Sequence, residues 1–171
     1  MRKVIAVLAL LPFTIGAFAQ DTKPSIQKLD EKNGFRDMKF GADSSTLEGR
    51  KFFMTSDGVR YYIRPTDDPK IGGSTVQIYY GFYKGRLLTV GMTAPDKANG
   101  QALFDALVAT YGVPIKPNQY VNIYYWYGGL VNMSYDASKM LRPQVFIVSR
   151  PLTTQAQADK AAAAKRASSD L

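Results

Sequence analysis

Lys51-Phe52-Phe53-Met54-Thr55-Ser56-Asp57-Gly58-Val59-Arg60-Tyr61-Tyr62-Ile63-Arg64 reads as a β-hairpin. Asp57-Gly58 is a two-residue turn of the type that needs positive φ at both central positions, and those residues accept it at little cost. Pairing outward by strict alternation sets Met54 opposite Tyr61 and Phe52 opposite Ile63, an apolar face. The other face then carries Lys51, Phe53, Thr55, Arg60, Tyr62 and Arg64.

Two further stretches repeat this pattern. Val76 to Thr93 turns at Lys84-Gly85. Alternation groups Ile78, Tyr80 and Phe82 with Leu87 and Thr89, against Tyr79, Tyr83, Arg86, Leu88 and Val90. Both faces are partly apolar, which suits a central position in a sheet. Tyr120 to Tyr135 turns at Gly128-Gly129, with Tyr124, Trp126, Val131, Met133 and Tyr135 on one side. Pro143 precedes a last strand, Gln144 to Arg150. Between the second and third hairpins, Leu103, Phe104, Leu107, Val108 and Tyr111 form one stripe at helical spacing. The helix spans about 97–111, with Asp96 or Asn99 as cap, Gly112 as stop and Pro114 beyond it.

These elements predict an α+β domain over 34–152, an antiparallel sheet of three hairpins plus a last strand packed on one main helix. Gly34 to Gly41 reads as a short strand, and Asp43 caps a short helix at 43–49. The 65–73 stretch, rich in Pro, Asp and Gly, reads as a loop. Residues 20–33 are polar and read as a linker or arm, and 153–171 as an Ala-rich helix or tail. Val76-Gln77-Ile78-Tyr79-Tyr80 is echoed by Val121-Asn122-Ile123-Tyr124-Tyr125. The echo fits a duplicated unit, or two strands that drew on the same β-favouring residues.

The first nineteen of the 171 residues read as an export signal. Met1-Arg2-Lys3 is a positive start, Val4 to Ile15 is apolar but for Pro12 and Thr14, and Ala17-Phe18-Ala19 places small residues where a signal peptidase reads. Cleavage before Gln20 leaves about 150 residues, enough for a self-sufficient core. The apolar run is too short for a membrane span. With no Cys to acylate, no lipid anchor is expected. The destination is the periplasm or the exterior.

Lys and Arg number 22 against 14 Asp and Glu, a net charge of +8. No run of five or six cations occurs, so nucleic acid is not an expected partner. Cys and His are both absent, which removes disulfides, thiolate and imidazole metal ligands, cysteine nucleophiles and Ser-His-Asp machinery. No phosphate-binding loop or dinucleotide fingerprint is present. Asp67-Asp68 are neighbouring carboxylates in the loop, a candidate for glycan hydrolysis or Ca²⁺ binding, though the calcium-loop spacing is missing. No cofactor and no metal are expected. The residues suited to binding are the tyrosines and arginines that alternation sets on a half-wet face, and Arg60, Tyr62, Arg64, Tyr83 and Arg86 are the chosen anchors.

Asn33-Gly34-Phe35-Arg36-Asp37-Met38-Lys39-Phe40-Gly41 resembles the opening of small exported bacterial domains, mostly of unknown function, in which a GF-x-x-x-x-x-G strand leads into a short helix. Leu107-Val108-Ala109-Thr110-Tyr111-Gly112-Val113-Pro114 is similar to the L-x-x-x-Y-G-x-P helix end of the same domains. The layout also resembles the helix-plus-sheet modules of outer-membrane assembly lipoproteins, without their lipid-bearing Cys, and of secreted β-lactamase inhibitors, without their disulfides. The resemblance implies an exported, non-enzymatic module of the bacterial envelope and carries over no catalytic residue. The expected partner is another envelope protein or a glycan. The alternatives are an inhibitor of a secreted or periplasmic enzyme, and a carboxylate-dependent hydrolase of glycans.

Overall fold

A computed structural model describes residues 25–138 and 142–169. The export signal and its cleavage site lie outside the described residues. The chain is α+β, with a mostly antiparallel sheet.

A short helix, α1 (Gln27–Lys32), is followed by a minimal hairpin of β1 (Gly34–Phe35) and β2 (Met38–Lys39), and by a 3-10 turn at Ser44–Thr46. Then come β3 (Lys51–Ser56), β4 (Val59–Ile63), the two-residue strands β5 (Lys70–Ile71) and β6 (Ser74–Thr75), β7 (Gln77–Tyr83), β8 (Arg86–Thr93) and α2 (Lys97–Tyr111). β9 (Ile123–Tyr127), β10 (Val131–Asp136), β11 (Gln144–Ser149) and α3 (Arg150–Ser169) complete the described chain. Seven strands form the main sheet in the order β3-β4-β7-β8-β11-β10-β9. The last strand is therefore inserted between the second and third hairpins.

Local signals are honoured where they are strongest. Asp57 and Gly58 take φ of 50° and 76°, and Lys84 and Gly85 take 48° and 79°. The Asp96 carboxylate accepts the Asn99 amide at 2.8 Å and starts α2, which Gly112 ends at φ 85°. Leu103 and Leu107 bury the α2 stripe against the sheet, and the Phe104 ring lies 4.8 Å from that of Tyr124 and 4.9 Å from that of Tyr135. Trp126 is buried beside them and its indole N–H donates to the Gly112 carbonyl at 2.8 Å.

Three local readings change. Gly34 to Gly41 is not one strand, because Arg36 turns at φ 54° and folds Phe35 back onto Met38. The 65–73 loop contains β5, which pairs with β6 around Gly72-Gly73 under α2. A Cβ at Gly72 would meet Ala106 Cβ at 2.2 Å, so only glycine allows that approach. The polar 20–33 stretch is not a free arm over its last turn. Leu29 of α1 is in the core, and the Asp30 carboxylate accepts the amides of Gly129, Leu130 and Val131 at 2.5, 2.8 and 2.9 Å.

Two one-residue bulges alter the faces. Phe52 pairs with Tyr62 and Met54 with Tyr61, leaving Phe53 as the extra residue. In the second hairpin Phe82 pairs with Leu87 and Gly81 with Thr89, leaving Leu88 over. Beyond a bulge every side chain exchanges faces, since the strand period is two. Val90 therefore joins Tyr80 in the core and Thr89 turns outward, the reverse of strict alternation.

Candidate functional site

One face of the sheet, here the inner face, is covered by α1, α2 and the β1–β2 hairpin. Among the described residues, the outer face is covered at one end only. There α3 leaves β11 and presents Leu152, Thr153, Ala156 and Asp159 as its partly buried stripe. Asp159 accepts the Tyr83 hydroxyl at 2.8 Å and the Lys84 ammonium at 2.7 Å, and Lys160 reaches Asp57 at 3.6 Å.

Beyond α3 no described element covers the outer face. Direct pairing sets Tyr79, Gly91 and Phe146 in one row, and Met54, Tyr61, Gly81 and Thr89 in the next. The two glycines remove side chains from the middle of the sheet. Phe146 settles onto the gap at Gly91, where a Cβ would meet its Cε1 at 3.1 Å. The Phe53 ring sits 4.8 Å from that of Tyr79. The result is a trough of about 270 Å³ walled by Phe53, Met54, Tyr61, Tyr79 and Phe146, with Gly91 in its floor. Phe53, Met54 and Phe146 are 46%, 43% and 37% exposed. Burial raises the pKa of the Tyr61 and Tyr79 phenols above their ordinary value, so both are neutral hydrogen-bonding groups at physiological pH.

The structure does not bring the five chosen anchors to one face. Arg60 pairs with Phe82 and Tyr62 with Tyr80, so both belong to the inner face. They line a cleft of about 280 Å³ beside Phe82 and Lys84, at the end the helices leave bare. Tyr83 is engaged by Asp159, and Arg86 Nη1 donates to the Gly41 carbonyl at 3.0 Å. Arg64 is held in an ion cluster. It grips Asp37 with two bonds of 2.8 and 2.6 Å and donates through Nε to Asp67 at 2.9 Å.

Asp67 also pairs with Arg36 at 3.2 Å and accepts the Tyr80 hydroxyl at 2.7 Å, and its side chain is only 8% exposed. Its oxygens are thus committed to structural partners, while Asp68 Oδ1 accepts the Lys70 amide. The Arg64 hydrogen bonds hold the Asp37 carboxyl at about 2, below its ordinary 3.8. Burial, reinforced by the bond to Asp67, raises the Tyr80 phenol. Among the described residues, no group of three or more acidic side chains could hold a metal ion.

Phe53, Met54, Tyr61, Tyr79 and Phe146 were not among the chosen anchors. One signal for them exists in the sequence: Phe52-Phe53-Met54 is an apolar run in which alternation must expose at least one large side chain. No family model matches the chain, and no curated protein or solved structure matches it significantly.

Proposed function

We propose that the protein is an exported, soluble, non-enzymatic binding module of the bacterial envelope, acting in the periplasm or outside the cell, and that its contact surface is the outer sheet face. The observation that carries this reading is the open trough of Phe53, Met54, Tyr61, Tyr79 and Phe146. Clustered aromatic and Met side chains that remain exposed on a folded domain are the usual anchors of an interface. The hairpins fix them on a rigid support, so little ordering entropy is spent on binding. No helix among the described residues is long and apolar enough to cross a membrane. The partner class supported best is another protein. The commitment of Asp67 to Arg64, Arg36 and Tyr80 weighs against the glycan-hydrolase alternative.

The test is cross-linked capture from an envelope fraction with the mature chain as bait. Capture should be lost when Tyr79→Ala and Phe146→Ala are combined, while the melting temperature stays within a few degrees. Undiminished capture by that double variant overturns the assignment of the surface.

A further inference from the structure

The two edges of the seven-stranded sheet differ. At the β9 edge the chain itself supplies a cover: the Ile115 amide donates to the Tyr125 carbonyl at 2.8 Å and the Tyr125 amide returns the bond at 2.9 Å. At the β3 edge β4 is the only paired strand among the described residues. An uncovered edge presents a row of free backbone donors and acceptors, and folded proteins usually blunt it with charge, proline or a covering segment. β3 has an exposed Lys51 at its start and a bulge at Phe53, but its middle carries Phe52, Phe53 and Met54, all exposed.

We propose, building on the reading of the outer face as a docking surface, that β3 receives an extended segment of a partner protein as an eighth strand, with apolar and acidic side chains in alternation. The two-residue turn makes Ser56–Val59 a hydrogen-bonded pair, so the next residue, Thr55, points its amide and carbonyl away from β4 and toward the incoming strand. Side chains of that strand would alternate between the two faces. On the outer face they meet Phe53 and Met54 and the trough behind them, which favours apolar residues. On the inner face they meet Phe52 and two cations beside it: Arg60 on β4, which has no ion-pair or hydrogen-bond partner among the described residues, and Arg50, stacked 5.6 Å from the Tyr62 ring centre. Those cations favour carboxylates.

A second copy of this chain is a poorer occupant. Antiparallel pairing of two β3 strands would bring Arg50 and Arg60 of both copies to one face of the joint. The bulge at Phe53 also breaks the regular register that an identical strand must match. A flexible partner segment can adapt to that irregularity.

The probe is an acetylated, amidated octapeptide of alternating Val and Glu, titrated into the isotope-labelled full-length mature chain and followed by amide shifts and hydrogen exchange. Shifts and new protection should centre on Thr55 and its neighbours in β3. The matching Val-Lys peptide should bind about tenfold or more weakly, and Arg60→Glu should reverse that preference. A Val-Glu peptide N-methylated at alternate residues, which leaves the protein unaltered, should lose binding. The inference is overturned by equal affinity for the two peptides, by shifts that avoid β3, or by a concentration-dependent dimer that protects Thr55 without peptide. If β3 stays silent while Tyr79→Ala with Phe146→Ala still abolishes envelope capture, this inference fails and the binding-module reading stands.

Discussion

The Tyr61 ring lies directly over Gly81: a Cβ on that glycine would stand 2.9 Å from Tyr61 Cε1 and 2.5 Å from the Thr89 methyl. This contact fixes how the first hairpin docks on the second. Tyr61 goes to the outer face because Gly81 alone in that row leaves room for it, and Arg60 and Tyr62 must then go to the inner face. Gly81→Ala should destabilise the domain by about 1–3 kcal/mol through overpacking. Adding Thr89→Ser removes the nearest methyl and keeps the hydroxyl bond to the Ile147 carbonyl. The pair should recover part of the loss, read as a shift of the denaturation midpoint at constant slope.

Trp126 reports the core. It is the one tryptophan, it is buried, and its N–H is satisfied by Gly112 at 2.8 Å. Its emission should be blue-shifted relative to indole in water and should red-shift in step with global unfolding. Trp126→Ala should cost about 3–5 kcal/mol. Trp126→Phe should cost less, about 1–3 kcal/mol, chiefly from the unpaired Gly112 carbonyl. An emission maximum already at the water value in the native protein would contradict this packing.

Asp30 ties α1 to a hairpin about a hundred residues away through three amide bonds. Asp30→Ala should cost about 2 kcal/mol, because charge-assisted bonds to otherwise unpaired amides are lost. Hydrogen exchange should accelerate at Leu130 and Val131 and through α1, while α2 keeps its protection. Uniform acceleration across the domain would show that the clasp is not local.

Acid should weaken the protein through carboxylates whose folded pKa is depressed. Asp37 is held at about 2 against an ordinary 3.8 by its bonds to Arg64. A depressed carboxylate contributes its full stability above the unfolded value and loses it as pH falls through the folded value. The window is therefore pH 3.8 down to about 2. Because the Asp37 side chain is 61% exposed, solvent screening limits the effect to about 1 kcal/mol. Asp30 shifts in the same direction: burial pushes it up, but its three amide bonds and Arg150 together outweigh that. Asp37→Asn should flatten the fall in melting temperature between pH 4 and pH 2, and an unchanged acid profile would assign that fall to other groups.

Much of the local structure was legible in the chain. Asp57-Gly58 and Lys84-Gly85 announce their turns because few other pairs accept positive φ twice in succession. The apolar stripe of α2 and its caps at Asp96 and Gly112 fix that helix from its own residues. The third hairpin carries Trp126, Met133 and Tyr135 to the core face as alternation requires. The candidate site was less legible. Tyr79 falls on the expected outer face, but Arg60, Tyr62 and Arg64 fall on the opposite one, and the trough is walled by residues chosen for the core, such as Met54 and Tyr61.

The division has a physical cause. Turn chemistry, helix periodicity and caps act over a few residues, so the sequence by itself determined which segments are hairpins and where the main helix begins and ends. Which way each hairpin faces is decided by cross-strand contact. A single extra residue at Phe53 or Leu88 exchanges every side chain beyond it. The energy that turns the first hairpin resides in Tyr61 over Gly81, and the energy that selects the register beyond Leu88 resides in Val90 against the core, pairings that exist only once the strands meet. The Asp30 clasp and the ion cluster of Arg64, Asp37 and Asp67 are of the same kind. Arg64 and Asp67 are only three residues apart, but Asp37 and the partners of Asp30 come from distant segments, and only the tertiary structure decides that they are held in place by one another.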